Sequence, residues 1–258
     1  MMENALTVLN MTEAMLWHGF LVFLRIAAAV SILPAFGETT VPPRIKIGIA
    51  LAFTVIVAPA LPTFETAQPS FEVIAKYTLT EGLNGFLIGI GVRMFVMALQ
   101  TAGTIAGQST SLAQIFGGAS GEPLPAIGNV LSLAALALAV TMGLHVYVAR
   151  YFIGSYILFP AGTFPVVEIM TEWGVAQVAS AFSLAFRLAA PFVIISAIYN
   201  LMLGVINRAM PQLMVAFVGA PLITAGGLFL LFLVAPALLT LWWSALQGFM
   251  INPTEGLQ

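Results

Sequence analysis

Three arginines, Arg25, Arg93 and Arg187, interrupt apolar stretches of the sequence, and Glu81 stands at the edge of another. An arginine at the centre of a membrane helix costs about 2.5–3.5 kcal/mol on insertion scales, so each is expected to face protein or water. Glu81 and Arg93 are twelve residues apart, ~18 Å along a helix, too far to pair with each other. Glu13 and Arg25 share that spacing, so the partners must come from other helices or other subunits. Such charges can serve a proton or ion relay, or they can pair structurally. All ten acidic residues are Glu, there is no Asp, and few carboxylates fall inside apolar segments, which favours pairing.

Two other arrangements invite a chemical reading. Gly118-Ala119-Ser120-Gly121 matches the G-x-S-G pattern of an intramembrane serine protease, with His145 as its conceivable base. A Ser–His dyad needs a rigidly held hydroxyl. Here the serine falls in a Gly-rich stretch followed at once by Glu122-Pro123-Leu124-Pro125, which argues for a loop instead. No G-x-x-x-x-G-K-[ST] occurs, so ATP hydrolysis by a P-loop is not expected. Two His, no Cys and no Asp make a zinc site improbable, and no cofactor is expected. Eight scattered basic residues and a net charge of −2 argue against nucleic acid.

The elements that must carry these residues are set by composition. Of 258 residues, 60% are hydrophobic and 7% charged, with mean hydropathy +1.05. Soluble domains carry roughly 25% charged residues, so the surroundings of this chain must be lipid or apolar protein. The N-terminus has no Lys or Arg before Arg25, unlike the basic start of a signal peptide, so the first apolar segment is expected to be retained.

The reading is an all-α, polytopic helical membrane protein of about six long hydrophobic helices ending in a two-helix hairpin. The candidates are Met15–Leu33, Ile45–Leu61, Gly82–Leu99 with a polar continuation toward Phe116, Ile127–Tyr151, Val175–Ile206 kinked at Pro191, and Leu213–Met250. Thr63–Lys76 is expected outside the bilayer. Thirty-eight residues of continuous helix would reach ~57 Å against a ~30 Å hydrocarbon core. The last segment therefore either breaks at Gly226-Gly227 or is one long helix packed on protein beyond the bilayer. The short connection Asn207–Gln212 favours the long hairpin. Gly85/Gly89 and Gly103/Gly107 give two G-x-x-x-G spacings that would let backbones approach closely. The polar run from Gln100 to Ser111 should line a cavity, a pore or an interface.

Three stretches, in order, carry a family resemblance. They are Phe23-Leu24-Arg25-Ile26 leading through Pro34-Ala35-Phe36-Gly37 to Val41-Pro42-Pro43-Arg44-Ile45-Lys46-Ile47-Gly48; Gly117-Gly118-Ala119-Ser120-Gly121-Glu122-Pro123; and Asn207-Arg208-Ala209-Met210-Pro211-Gln212-Leu213 continuing to Phe217-Val218-Gly219-Ala220-Pro221-Leu222. Along nearly its whole length the chain resembles the R subunits of the flagellar type III export gate, the FliR family. Injectisome homologues share the N-R-x-x-P-Q-L turn, and Met214 stands where the family usually has Asn.

The resemblance implies a non-enzymatic gate subunit of the bacterial inner membrane and flagellar basal body. Its partners would be P- and Q-type subunits, larger membrane proteins of the export apparatus, and unfolded exported proteins. It implies a P-like part, 1–174, and a Q-like hairpin, 175–258, turning at Asn207, Arg208, Pro211, Gln212 and Leu213. By the same analogy Ile115, Phe116, Gly117, Gly118, Ala119, Ser120, Gly121, Glu122 and Pro123 form a plug in the closed channel. Arg25, Arg93 and Arg187 would meet partners across subunit boundaries. The competing readings are a small-solute transporter or channel, and the intramembrane protease.

Overall fold

A computed structural model describes residues 2–64, 70–110, 126–210 and 215–253. Among these described residues the chain forms seven α-helices, one 3-10 turn and no strand. They are α1 (Met2–Val30), α2 (Pro43–Val57) running into the turn Ala58–Ala60, α3 (Phe71–Thr110), α4 (Ala126–Thr141), α5 (Leu144–Leu158), α6 (Val167–Ala209) and α7 (Val215–Ile251). Five stretches are long and apolar enough to cross a membrane, and a sixth arises if α4 and α5 are counted as one broken span. The expected all-helical, multi-pass membrane architecture is what the chain adopts.

Local chemistry explains where the helices begin. α2 starts on Pro43, whose missing N–H costs nothing in a first turn. α3 begins eleven residues before the expected Gly82, because Ser70 accepts a hydrogen bond from the Val73 N–H (3.3 Å) and Glu72 occupies the electropositive first turn. Glu168 does the same for α6, which starts at Val167 in place of Val175. The helix carries Pro191 within its span. α7 runs unbroken through Gly226-Gly227, so the long-helix alternative holds for the last segment.

The fourth expected span is corrected. Ile127–Tyr151 is not one helix: α4 ends at Thr141 and α5 begins at Leu144. Gly143 sits at φ +84°, a left-handed conformation that costs other residues about 1–2 kcal/mol. An isolated Gly within an apolar run is ordinarily tolerated in a helix, which is why hydropathy alone passes over this break.

The chain divides into two compact units, both assembled from separate stretches. One comprises Met1–Arg93, Gly143–Ala176 and Gln247–Gln258; the other comprises Met94–Met142 and Gln177–Leu246. In the first, Leu21, Ile26 and Leu33 of the α1 region are buried together with Val57, Ile88 and Phe152. Phe53 joins edge-to-face with Phe36 (5.8 Å) and Phe152 (5.5 Å). A Cβ at Gly85 would overlap the Arg25 carbonyl, and one at Gly89 would lie 2.9 Å from that of Ala29. The first G-x-x-x-G is thus where α3 and α1 approach backbone to backbone.

The second unit buries Leu99, Leu131, Leu188, Phe192 and Trp242. Trp242 Nε1 donates to the Phe95 carbonyl at 2.8 Å. Gly103 packs directly on Gly128, the other backbone-level approach of α3. Near their junction α6 and α7 lie side by side: Tyr199 donates its hydroxyl to the Gly219 carbonyl (2.9 Å), beside Leu203. The connection expected to turn the two-helix hairpin includes 211–214, which lie outside the described residues.

Candidate functional site

Of the three arginines that interrupt apolar stretches, Arg25 and Arg93 of the first unit pair within the chain, and Arg187 of the second has no ion pair among the described residues. α1 and α3 cross at Gly85, one turn from Glu81, so the glycine that permits the approach also brings the carboxylate to Arg25. Arg25 Nε donates to Glu81 Oε2 at 2.7 Å, with both side chains fully buried. Glu81 Oε1 accepts the Gly162 N–H at 2.8 Å. Arg25 also donates to the carbonyl and hydroxyl of Ser155 (3.2 and 3.3 Å), and its guanidinium lies 3.6 Å over the Tyr156 ring. Asn84, one turn beyond Glu81, donates to the Thr163 carbonyl at 3.3 Å.

Both carboxylate oxygens of Glu81 are therefore engaged, and an arginine does not give up its proton in a protein. The arrangement fastens rather than relays: it ties α1, α3, α5 and the segment following α5 into one body. Its Coulombic attraction offsets the cost of taking two charges out of water, so removing one partner alone costs about 3–5 kcal/mol.

Arg93 pairs with Glu38 at 2.7 Å, both about one-third exposed. Lys46 Nζ donates to the neighbouring Gly37 carbonyl at 2.8 Å. Two cations thus hold the connection between α1 and α2. Arg25 and Arg93 were expected to meet partners across subunit boundaries, but both partners lie within the chain. The sequence named the arginines and Glu81. It did not identify Glu38, Ser155, Tyr156 or Gly162, because contacts between residues 55 to 130 positions apart leave no local periodicity to read.

Arg187 differs. It lies on α6, exposed, with no ion pair among the described residues. Within the polar run of α3, Thr104 donates to Gln100 O and Ser109 to Ala106 O, and Ser196 of α6 donates to the Ser109 carbonyl. Beside it, Met94, Met97, Thr101, Val178 and Phe182 line a groove of about 110 Å³.

Asn207 and Arg208 end α6 and are exposed; Pro211, Gln212 and Leu213 lie outside the described residues. So do Ile115 through Pro123, and with them Ser120. His145 is exposed on α5. No metal-holding cluster of His, Cys, Asp or Glu occurs among the described residues.

A many-helix membrane protein, fastened by a buried ion pair in one unit and carrying an uncovered cation on a long apolar helix in the other, is the class that fold and site define. Residues 16–249 match the family described as bacterial export proteins, family 1, and the chain belongs to that family. It is 32% identical over 225 residues to the flagellar biosynthetic protein FliR of Caulobacter vibrioides, covering 86% of this chain and 90% of that one. The proteins of the same name from Pectobacterium carotovorum and Escherichia coli K12 are 28% and 29% identical, covering 88% and 82% of their lengths.

Proposed function

We propose that this chain is a structural subunit of a flagellar protein export gate in the bacterial inner membrane, needed for export of flagellar components and contributing no enzymatic step. The family and the names of the relatives support this reading. The observation that carries it in the structure is the pair α6 and α7. At 43 and 37 residues they reach ~64 and ~56 Å, about twice the hydrocarbon core, and most of their surface is uncovered. Apolar helix that extends past the lipid needs other protein around it.

In this reading 1–174 plays a P-like part and 175–258 a Q-like part beside P- and Q-type subunits. Ile115–Pro123 is the plug of the closed channel, and Arg187 meets a carboxylate on a neighbouring subunit. The larger membrane proteins of the export apparatus and unfolded substrates complete the list of partners, and the basal body is the site of action.

The test is purification of the tagged full chain from its native host in mild detergent, with mass spectrometry of what accompanies it. Recovery of other small polytopic export subunits in one stable particle is the expected result. Recovery of the chain alone, or only as a homo-oligomer, overturns it in favour of a solute transporter. Deleting Gly117–Gly121 should make the membrane leak small molecules, and an intact barrier would refute the plug.

A further inference from the structure

A groove of about 440 Å³ opens on the first unit between the outer face of α5 and the end of α7, and the export reading makes no use of it. Its floor is Gly154, where an added Cβ would meet nothing within 4 Å. Ile157, 85% exposed, and Ile251 supply apolar walls. Arg150 stands exposed at its rim, one turn before Gly154, with no ion pair among the described residues. Tyr147 forms another wall, its hydroxyl oxygen accepting from Gln247 Nε2 at 2.6 Å, which fixes the ring. At the groove's end α7 passes from Ile251 to Asn252 and Pro253, from apolar side chains to polar ones.

We infer that this groove holds one anionic phospholipid, its phosphate on Arg150 and an acyl chain over Gly154 between the isoleucines. Three features choose this occupant. The guanidinium offers several donors in a fixed fork, matched to phosphate oxygens. Tyrosine and arginine beside an apolar wall are the side chains found where hydrocarbon gives way to headgroups. The step from Ile251 to Asn252 marks the same boundary along α7. A water-soluble anion would gain nothing from the apolar walls, and a purely apolar occupant would leave the cation uncompensated. The inference requires only that the chain resides in a membrane and is independent of the export reading.

The test uses the full chain in nanodiscs of phosphatidylglycerol mixed with phosphatidylcholine, and reads lipid retained after transfer to detergent by native mass spectrometry. Wild type should retain one phosphatidylglycerol at least about fivefold over phosphatidylcholine, the discrimination that roughly 1 kcal/mol of headgroup recognition gives. Arg150→Gln should abolish the preference. Gly154→Leu should abolish retention, and because its side chain grows into open space the fold should survive. A photo-crosslinker at position 157 should acquire the mass of a lipid. Equal retention of both lipids, unchanged retention in either variant, or a polypeptide crosslinked from position 157 overturns the inference. So does a wild type that retains nothing while Glu255→Gln gains lipid, which would give Arg150 to the chain's own carboxylate.

Discussion

Removing the carboxylate of Glu81 tests whether one buried pair fastens the first unit. Arg25 and Glu81 lie 2.7 Å apart with neither side chain accessible to solvent. Glu81→Leu strands a guanidinium in that setting, at a cost of about 3–5 kcal/mol. It also leaves the Gly162 N–H without its acceptor, a further 1–3 kcal/mol or so that overlaps with the first cost because the same region relaxes around both. Glu81→Gln keeps an oxygen for Gly162 but no countercharge, and should fall between wild type and Glu81→Leu. The double variant Arg25→Met, Glu81→Leu removes both charges and should recover more than half of the loss, since well-packed apolar replacements of buried pairs are often neutral. The assay is thermal unfolding of the full chain in detergent, read by tryptophan fluorescence. At about 2–4 °C per kcal/mol, Glu81→Leu should lower the midpoint by roughly 6–20 °C. A midpoint within about 2 °C of wild type, or a double variant as unstable as the two single losses summed, refutes the reasoning.

Gly85→Ala should be far more damaging than Gly82→Ala on the same helix, because a Cβ at 85 overlaps the Arg25 carbonyl while one at 82 meets nothing within 4 Å. Equal yields of folded protein from the two variants would remove the close approach of α1 and α3. Gly143→Ala, at φ +84°, should cost about 1–2 kcal/mol in the same unfolding assay, and a stabilised variant would deny the break between α4 and α5. Arg93→Gln should change stability by no more than about 1 kcal/mol, since its pair with Glu38 is partly solvated, and a loss as large as that from Glu81→Leu would contradict the contrast between the two pairs. Arg187→Leu should insert more readily, by up to about 2.5–3.5 kcal/mol on insertion scales, yet recover fewer partner subunits on purification. Unchanged recovery would mean that Arg187 meets no partner.

What the sequence yields follows from the range of the forces involved. Hydropathy is a local sum, so the apolar segments were legible, and the G-x-x-x-G at Gly85 and Gly89 marked a true backbone approach. Starts were misplaced at α3 and α6 because Glu72 and Glu168 lower hydropathy while suiting a first helical turn. The break at Gly143 was missed because one glycine barely alters an apolar average. The arginines announced themselves by cost, and Arg25 and Arg93 do face protein partners. Assigning those partners to other subunits was not sound for these two of the three. Glu38 and Glu81 come from elsewhere in the same chain, and nothing along a single strand of sequence records which distant carboxylate folds onto which arginine.

Exposed apolar surface on a membrane helix does not by itself argue for a protein partner, because lipid covers it equally well. The length of α6 together with the place of Arg187 does argue for one. Arg187 is the twenty-first residue of 43, ~30 Å from the start of the helix and about as far from its end. A hydrocarbon core of ~30 Å can be set against this helix in two ways. Centred on Arg187, it surrounds an exposed cation with lipid, and the cation then needs a carboxylate from outside the described residues. Set over 188–206, which is about one span of mostly apolar residues, it leaves Arg187 and Arg208 at the two headgroup levels, where arginine is readily accommodated. Val175 and Val178, 66% and 43% exposed and ~18 and ~13 Å further along the helix, would then project beyond the headgroups into water. Neither setting is satisfied by lipid and water alone, so in both of them α6 requires protein that this chain's described residues do not supply.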